Sequence, residues 1–324
     1  MKDIAFVLLP DTLLLDLAGP AEAFRLANQR LQQRGQPPAY RLRYLSAQPE
    51  VCTSVGLHLA QLQPLPASLP GGAAVVLLGQ PTGAESPLKR PLPRVWADTR
   101  RWLARVVAPR LTAPAQDLQL ITVCGGALLA ADAGLLGQHR CTTHHESLAD
   151  LARLAPTCTV AGNRLFLVDG AVASSAGITA GIDLALHLIA QDCGAALAAS
   201  VAQVMVVYGR RGPEDPQISP LMAGRSHLHP AVHRVQDAVC EQPAADWSLQ
   251  QLAAVAHVTP RHLSRLFAQH VGTSPRQFVE GVRAALTERA LDAGREPKQA
   301  LDEAGIHGGR QWRRIRQRQR ATAT

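Results

Sequence analysis

Trp247-S-L-Q-Q-L-A-A-V-A-H-V-T-P-R-H-L-S-R-L-F-A-Q-H-V-G-T-S-Pro275 is the most informative stretch of the chain. Leu249, Leu252, Ala253 and Ala256 recur at the i, i+3, i+4, i+7 spacing of a buried helical stripe. His257 and Val258 break that stripe. Thr259 then offers a side-chain oxygen to the free amides of a new helix, and Pro260 suits a first turn that needs no N–H. On this second helix Leu263, Leu266 and Phe267 face inward. Arg261, His262, Ser264, Arg265 and Gln269 lie on the opposite side, where a recognition helix meets the major groove. Gly272 is placed to stop the helix as a left-handed cap.

Two helices joined by a short turn occur in many folds, and a basic outer face is often only solvated surface. The residues beyond Gly272 narrow the choice. Ser274 and Pro275 open an amphipathic helix through about Asp292; a short helix from Lys298 to Ala304, a turn at Gly305 and an arginine-rich helix come next. Order and spacing resemble the AraC-type DNA-binding domain, in which a linker helix holds two helix-turn-helix units about one DNA turn apart. The likeness is strongest at Leu249, Leu252, Ala253, Ala256, Thr259, Arg261, Leu263, Arg265, Phe267, Gly272, Ser274 and Pro275.

In the second unit Ala304, Gly305, Ile306, Trp312 and Arg314 fit, but Gly308 stands at a capping position usually filled by Ser, and Arg316 replaces a core aromatic. The resemblance implies contacts to double-stranded promoter or operator DNA from Arg261, His262, Ser264, Arg265 and Gln269. From the second unit it implies Arg310, Gln311, Arg313 and Arg314, chiefly through phosphate charge. The closing G-x-S-P-x-x-Y segment of the family is absent, so the second unit is expected to be shortened and loosely packed.

Charge follows the same division. Residues 229–324 carry fourteen Lys plus Arg against nine Asp plus Glu, net +5; the first 228 carry nineteen against sixteen, net +3. The smaller part is the more basic. Six arginines and no acid lie between Arg310 and Arg320, a density that suits phosphates but also a solvated tail.

At 324 residues the chain is long enough for two ordinary domains. Met1-Lys2-Asp3 leads into the apolar run Ile4–Leu9, too short to span a membrane and without a cleavage site, which reads as a first strand. Six scattered cysteines without C-x-x-C spacing indicate neither zinc nor a disulfide framework and fit a reducing cytoplasm. No metal and no cofactor is expected.

The first two hundred residues alternate short apolar runs with helical ones: Ile4–Leu9 then Pro20–Gln33, Ala74–Leu78 then Val95–Val107, Leu118–Val123 then Ala127–Ala133. Such alternation predicts an α/β domain with a doubly wound, flavodoxin-like sheet. Val172–Ser175 is followed by an Ala-rich helical pair, Ala180–Ala190 and Ala195–Val207. The expected organisation is a sheet domain over 1–208, a linker over 209–228 and an all-α domain over 229–324 with two helix-turn-helix units.

One loop of the sheet domain could carry chemistry. Val123-Cys124-Gly125-Gly126 follows a buried strand and opens a helix, which would raise the sulfur near free amides that depress a thiol pKa. His144, after Cys141-Thr-Thr, and Asp16, after the first strand, could meet it. On spacing alone, a strand-end Cys is more often a small core residue and a His after Thr-Thr usually a surface one.

The stretches L-D-L-A-G-P-A-E-A-F, V-C-G-G-A-L-L-A-A-D-A-G-L-L-G-Q-H-R-C-T-T-H and D-G-A-V-A-S-S-A-G-I-T-A-G-I-D-L-A-L-H-L resemble the PfpI-like branch of the class I glutamine amidotransferase-like superfamily. That resemblance implies Cys124 as the elbow cysteine, His144 as the histidine near it and Asp16 as the acidic partner. It also implies Gly79 in a glycine loop that helps bind an oxyanion. Gly125 stands where Thr is usual, Gln80 where a second glycine is, and His145 where Trp is common. Glu22, on the first helix, reads as a surface or dimer-contact residue.

Together the two domains resemble GlxA-type transcriptional regulators, in which the same pocket serves as a sensor. The expected partners are DNA, a small-molecule effector and a second copy bound through the N-terminal domain, with no membrane. Three functional readings stay open: a regulator, a cysteine-dependent hydrolase or isonitrile hydratase using Cys124, and a degenerate regulator that dimerises without reading DNA.

Overall fold

The computed structural model describes residues 1–81, 94–113, 117–207, 212–213, 217, 229–292 and 294–322. Chain contacts divide it into two compact units, Met1–Gln217 and Ile218–Thr324. The expected linker over 209–228 falls almost wholly outside the described residues.

In the first unit the strands are β1 (Lys2–Val7), β2 (Tyr40–Ser46), β3 (Val51–Cys52), β4 (His58–Leu59), β5 (Gln63–Pro64), β6 (Ala73–Leu77), β7 (Leu118–Val123), β8 (Arg140–Cys141), β9 (Thr159–Val160), β10 (Phe166–Asp169) and β11 (Val172–Ser175). Its helices are α1 (Leu14–Gln33), α2 (Arg94–Trp102), α3 (Ala108–Thr112), α4 (Gly126–Asp132), α5 (Leu148–Leu154), α6 (Thr179–Cys193) and α7 (Ala195–Val204). Among the described residues seven strands form one sheet in the order β10-β11-β7-β6-β1-β2-β5, parallel except for the β10–β11 hairpin.

Alternation along β1 shows why both faces are covered. Ile4, Phe6 and Leu8 point into a core with α1, α6 and α7, while Ala5, Val7 and Leu9 point into one with α2 to α5. Leaving aside the antiparallel β10 and the two-residue edge strand β5, the parallel strands β1, β2, β6, β7 and β11 run in the order 2-1-3-4-5, that of a flavodoxin-like sheet. Ligands of such sheets bind beyond the carboxyl ends of the strands where the order reverses, here between β1 and β6.

Two sequence expectations are corrected. The first helix begins at Leu14, not Pro20, so Pro20 lies inside it and Asp16 sits in its first turn rather than in a loop. The second half of the expected helix Val95–Val107 widens into a π-helical turn over Leu103–Val107.

The second unit is helical: α8 (Pro230–Glu241), α9 (Leu249–Ala256), α10 (Pro260–His270), α11 (Pro275–Asp292), α12 (Pro297–Glu303) and α13 (Gly309–Thr322). Val232, Val235 and Val239 of α8 join Leu252, Ala256, Leu263, Leu266 and Phe267 in one core, onto which Phe278 and Val282 of α11 close. Leu249 does not belong to it. At 39 % exposure it is a correction to the expected stripe, because it is the first residue of α9 and the helix turns inward only at Leu252. The second helical pair has a small core of Ala284, Ala304, Ile306 and Ile315, edged by Leu301 and Trp312.

Among the described residues no helix is long and apolar enough to cross a membrane, and no group of three or more His, Cys, Asp or Glu is placed to hold a metal ion.

Candidate functional site

In the helical unit, local chemistry fixes each end of the two-helix turn. Ser248 and Gln251 form a reciprocal capping box at the start of α9, with bonds of 3.2 and 2.7 Å. His257 closes α9 in the left-handed region, φ 56°, while the Val258 N–H donates to the Ala253 carbonyl at 3.0 Å. Thr259 Oγ1 accepts from the His262 N–H at 3.3 Å, starting α10. Gly272, at φ +74°, donates to the Phe267 carbonyl and ends it.

The resulting outer face of α10 exposes Arg261, Arg265 and Gln269, with His262 and Ser264 half-buried beside them. Among the described residues neither arginine pairs with a carboxylate; Arg265 reaches His262 Nδ1 at 3.1 Å, and Ser264 Oγ donates back to the Pro260 carbonyl. Both guanidiniums keep donors for an outside partner.

On α13 the six arginines do not act alike. Arg316 lies against Glu288 and over the Trp312 ring, and Arg318 pairs with Glu280 at 3.1 Å; these face the linker helix α11. Arg310, Arg313 and Arg314 are exposed and, among the described residues, without a carboxylate partner. Gln311 is engaged otherwise: its Oε1 accepts from the His307 N–H at 2.9 Å. Gly308 does not leave the helix start unsupported, since its carbonyl accepts from Gln311 and Trp312.

In the sheet unit, four segments converge at the carboxyl ends of the strands. Cys124 follows β7 with φ 56°, a left-handed conformation held by its N–H on the Ser175 carbonyl (3.0 Å) and by Thr143 Oγ1 donating to its carbonyl (2.7 Å). Asp16 is fully buried; its carboxylate accepts from the Gly79 N–H at 3.1 Å and the Ile178 N–H at 2.7 Å. Two glycines permit the approach. A Cβ on Gly79 would lie 2.4 Å from Asp16 Oδ2, and one on Gly177, at φ +94°, would lie 2.1 Å from Cys124 Cβ.

Electrostatics here run against the sequence reading. Burial, and then the Asp16 charge, push the Cys124 thiol well above its ordinary range, although the Gly125 N–H pulls the other way. The thiol is therefore protonated at neutral pH and hydrogen-bonded to Asp16. Burial raises the Asp16 carboxyl to about 6, against the lowering effect of its two backbone donors. Gly79 spends its N–H on Asp16 and Gly125 directs its own at the sulfur, so neither is free for an oxyanion.

His144 is not joined to this cluster. Among the described residues it makes no hydrogen bond with Cys124; its ring lies 4.2 Å from that of His145, its Nδ1 is 3.8 Å from Glu146, and burial lowers its pKa. Gln80 turns away, donating to the Pro10 carbonyl. Sequence reasoning missed Ile178, whose strained backbone (φ 50°, ψ −112°) supplies the second donor to Asp16. It also missed Gln217, which holds Thr142 and Thr143 through bonds of 3.1 and 2.8 Å. Neither residue belongs to a motif.

The Asp16 carboxyl makes a testable contribution to stability. Its folded pKa lies above the unfolded value of 3.8, so the native state binds the proton more tightly and loses stability as pH rises through the window from about 4 to about 6. Urea unfolding of the parent chain and of Asp16→Asn should show the parent's relative stability falling by up to about 3 kcal/mol between about pH 4 and about pH 7. A pH-independent difference would mean that the group does not titrate in this window.

The comparisons with known proteins agree with both units. A helix-turn-helix domain family matches residues 252–319. The regulator GbdR of Pseudomonas aeruginosa, an HTH-type transcriptional regulator, is 28 % identical over 294 residues, covering 90 % of this chain and 74 % of its own. Among solved structures, an AraC family transcriptional regulator from Pseudomonas putida aligns with 63 % of this chain and all of its own, at a TM-score of 0.50 and 20 % identity. A ThiJ/PfpI family protein from Pseudomonas syringae aligns with 79 % of this chain and 90 % of its own, at 0.52 and 18 %. The sheet order and the family match converge: the chain carries a C-terminal helix-turn-helix domain, is similar over most of its length to HTH-type transcriptional regulators, and has an N-terminal domain with the fold of the ThiJ/PfpI protein.

Proposed function

We propose that residues 229–324 read promoter DNA selectively and that residues 1–208, joined through 209–228, sense a small molecule and dimerise. The work is done in the cytoplasm, where the operator lies. The observation that carries this reading is the outer face of α10: two exposed arginines without carboxylate partners among the described residues, on a helix whose ends are capped and whose inner face is packed. Arg261, Arg265, His262, Ser264 and Gln269 are assigned to the first groove. Arg310, Gln311, Arg313 and Arg314 are assigned to the second, where phosphate contacts dominate.

Sensing is favoured over turnover because the Cys124 thiol is protonated, has among the described residues no imidazole hydrogen-bonded to it and is surrounded by donors already in use. Such a pocket suits reversible binding better than acyl chemistry. The cysteine-dependent hydrolase or hydratase keeps one supporting observation, the left-handed elbow at Cys124. Turnover of amides, aldehydes or isonitriles that is abolished by Cys124→Ser would restore that alternative.

The regulator reading is tested by selecting bound genomic fragments and measuring their affinity. Arg261→Ala and Arg265→Ala should each lose about 1–3 kcal/mol on selected fragments and much less on random DNA. Equal losses on both would reduce these arginines to phosphate contacts. Equal affinity of the parent chain for both would overturn selective reading.

A further inference from the structure

The loop between α8 and α9, residues 242–248, touches both helix-turn-helix pairs, α9–α10 and α12–α13. On one side its Gln242 carbonyl accepts the indole N–H of Trp247 at 2.8 Å, and Trp247 packs against the apolar core beneath α10. On the other side Ala244 covers Gly305, the turn residue between α12 and α13. A Cβ on Gly305 would lie 2.6 Å from Ala244 Cα and 3.1 Å from its carbonyl oxygen, so the two backbones meet with no side chain between them. Gly305 is buried and stands at φ +70°, a gap and a conformation that only glycine fits without strain.

Arg283, on the linker helix α11, locks this loop. Its Nε donates to the Pro243 carbonyl at 2.8 Å and its Nη2 to the Ala245 carbonyl at 2.7 Å, the residues on either side of Ala244. Both bonds are charge-assisted, and a planar guanidinium fork holds two carbonyls at a fixed angle as an ammonium cannot. The side chain is half-buried, and the Asp246 and Glu280 carboxylates support its charge. Glu280, one turn earlier on α11, also accepts from Arg318 of α13 at 3.1 Å.

We propose that Arg283 and the 242–248 loop form a clasp that fixes the separation of α10 and α13, and so the spacing between the two DNA elements that the chain accepts. This rests on the reading of both helices as DNA contacts. A linker helix alone lets two packed bodies pivot about it; a second connection beside it removes that freedom. One base pair more or fewer between the two elements turns one against the other by about 35° and shifts it by about 3.4 Å, so a clasped protein tolerates a single spacing. Arg283 is a positioning residue: both of its bonded donors are spent on the loop, and it acts on DNA only through the helices it aligns.

The test measures the affinity of the full-length protein for a selected fragment and for versions with one base pair inserted or removed between the two protected elements. The parent should lose about ten-fold or more on either change. Arg283→Gln, which cannot span both carbonyls, should weaken binding at the native spacing by about ten-fold and leave the three spacings nearly equal. Arg283→Lys should recover part of the discrimination. Gly305→Ala, which wedges the loop away from the turn, should flatten the spacing profile with Arg283 intact. Without DNA, spin labels carried on non-natural amino acids at the exposed positions Ala268 and Gln317 should give one narrow distance distribution in the parent and a broad one in Arg283→Gln. Equal losses for Arg283→Gln at all three spacings, a parent indifferent to spacing, or a distribution in Arg283→Gln as narrow as the parent's would overturn the clasp. Failure of the DNA reading itself shows differently, as a parent chain that holds selected and random fragments alike, and the label distances then still decide the clasp.

Discussion

Phe267→Ala should abolish DNA binding without touching any residue that faces DNA. Phe267 is fully buried at the centre of the first helix-turn-helix core, edge-on to Phe278 at 5.9 Å, and is flanked by Leu263 and Leu266. Removing a buried Phe costs about 3–5 kcal/mol, from lost burial and the cavity left behind. The core it leaves is small, so this is a large part of what holds α9 and α10 together. Hydrogen exchange on the full chain locates the effect: amides in α9 and α10 should exchange roughly a hundred-fold or more faster, whereas β1, β6 and β7 keep their protection. Unchanged exchange in α10 would show that the aromatic is not the keystone of the turn.

The second large effect is expected at Gly177→Ala. A methyl there would overlap Cys124 Cβ at 2.1 Å and Cys124 Sγ at 2.6 Å, and the backbone would have to keep φ +94° with a side chain. Left-handed strain contributes roughly 1–3 kcal/mol, and forced repacking a similar amount. Together they should lower stability by about 4 kcal/mol. The matched control is Gly125→Ala, whose Cβ would meet nothing closer than 3.5 Å on ordinary helical backbone. Thermal unfolding of both variants checks the argument: comparable melting temperatures would show that Cys124 can move aside. The contrast also bears on the pocket, because the glycine at 125 is not enforced by space.

Much of the sheet domain could be read from the chain because parallel strands buried on both faces appear as continuous apolar runs, as in β1, β6 and β7. β2 could not. Its Y-R-L-R-Y-L-S carries two arginines, and only the structure shows Arg41 and Arg43 neutralised by Asp3 on the neighbouring strand. The start of α1 was hidden by Pro20, which resembles a first-turn proline but stands in the second turn, where the chain before it is already helical. In the helical domain the caps were visible at Thr259 and Gly272, since each acts on its own neighbours; Leu249 was misplaced because periodicity does not tell where a helix begins to be covered.

For the pocket, motif and resemblance point to Asp16, Gly79 and Cys124, and the structure brings these side by side. The direction of the thiol pKa was not accessible from sequence, because it depends on depth and on a carboxylate over a hundred positions away.

The two helix-turn-helix units are aimed by different forces. α10 is oriented by a packed apolar interior, which added salt does not weaken, whereas α13 rests on a small core and on half-exposed ion pairs from Arg316 and Arg318 to α11, which dissolved ions screen. Raising ionic strength is therefore expected to loosen the hold of α13 on α11 more than that of α10 on its core.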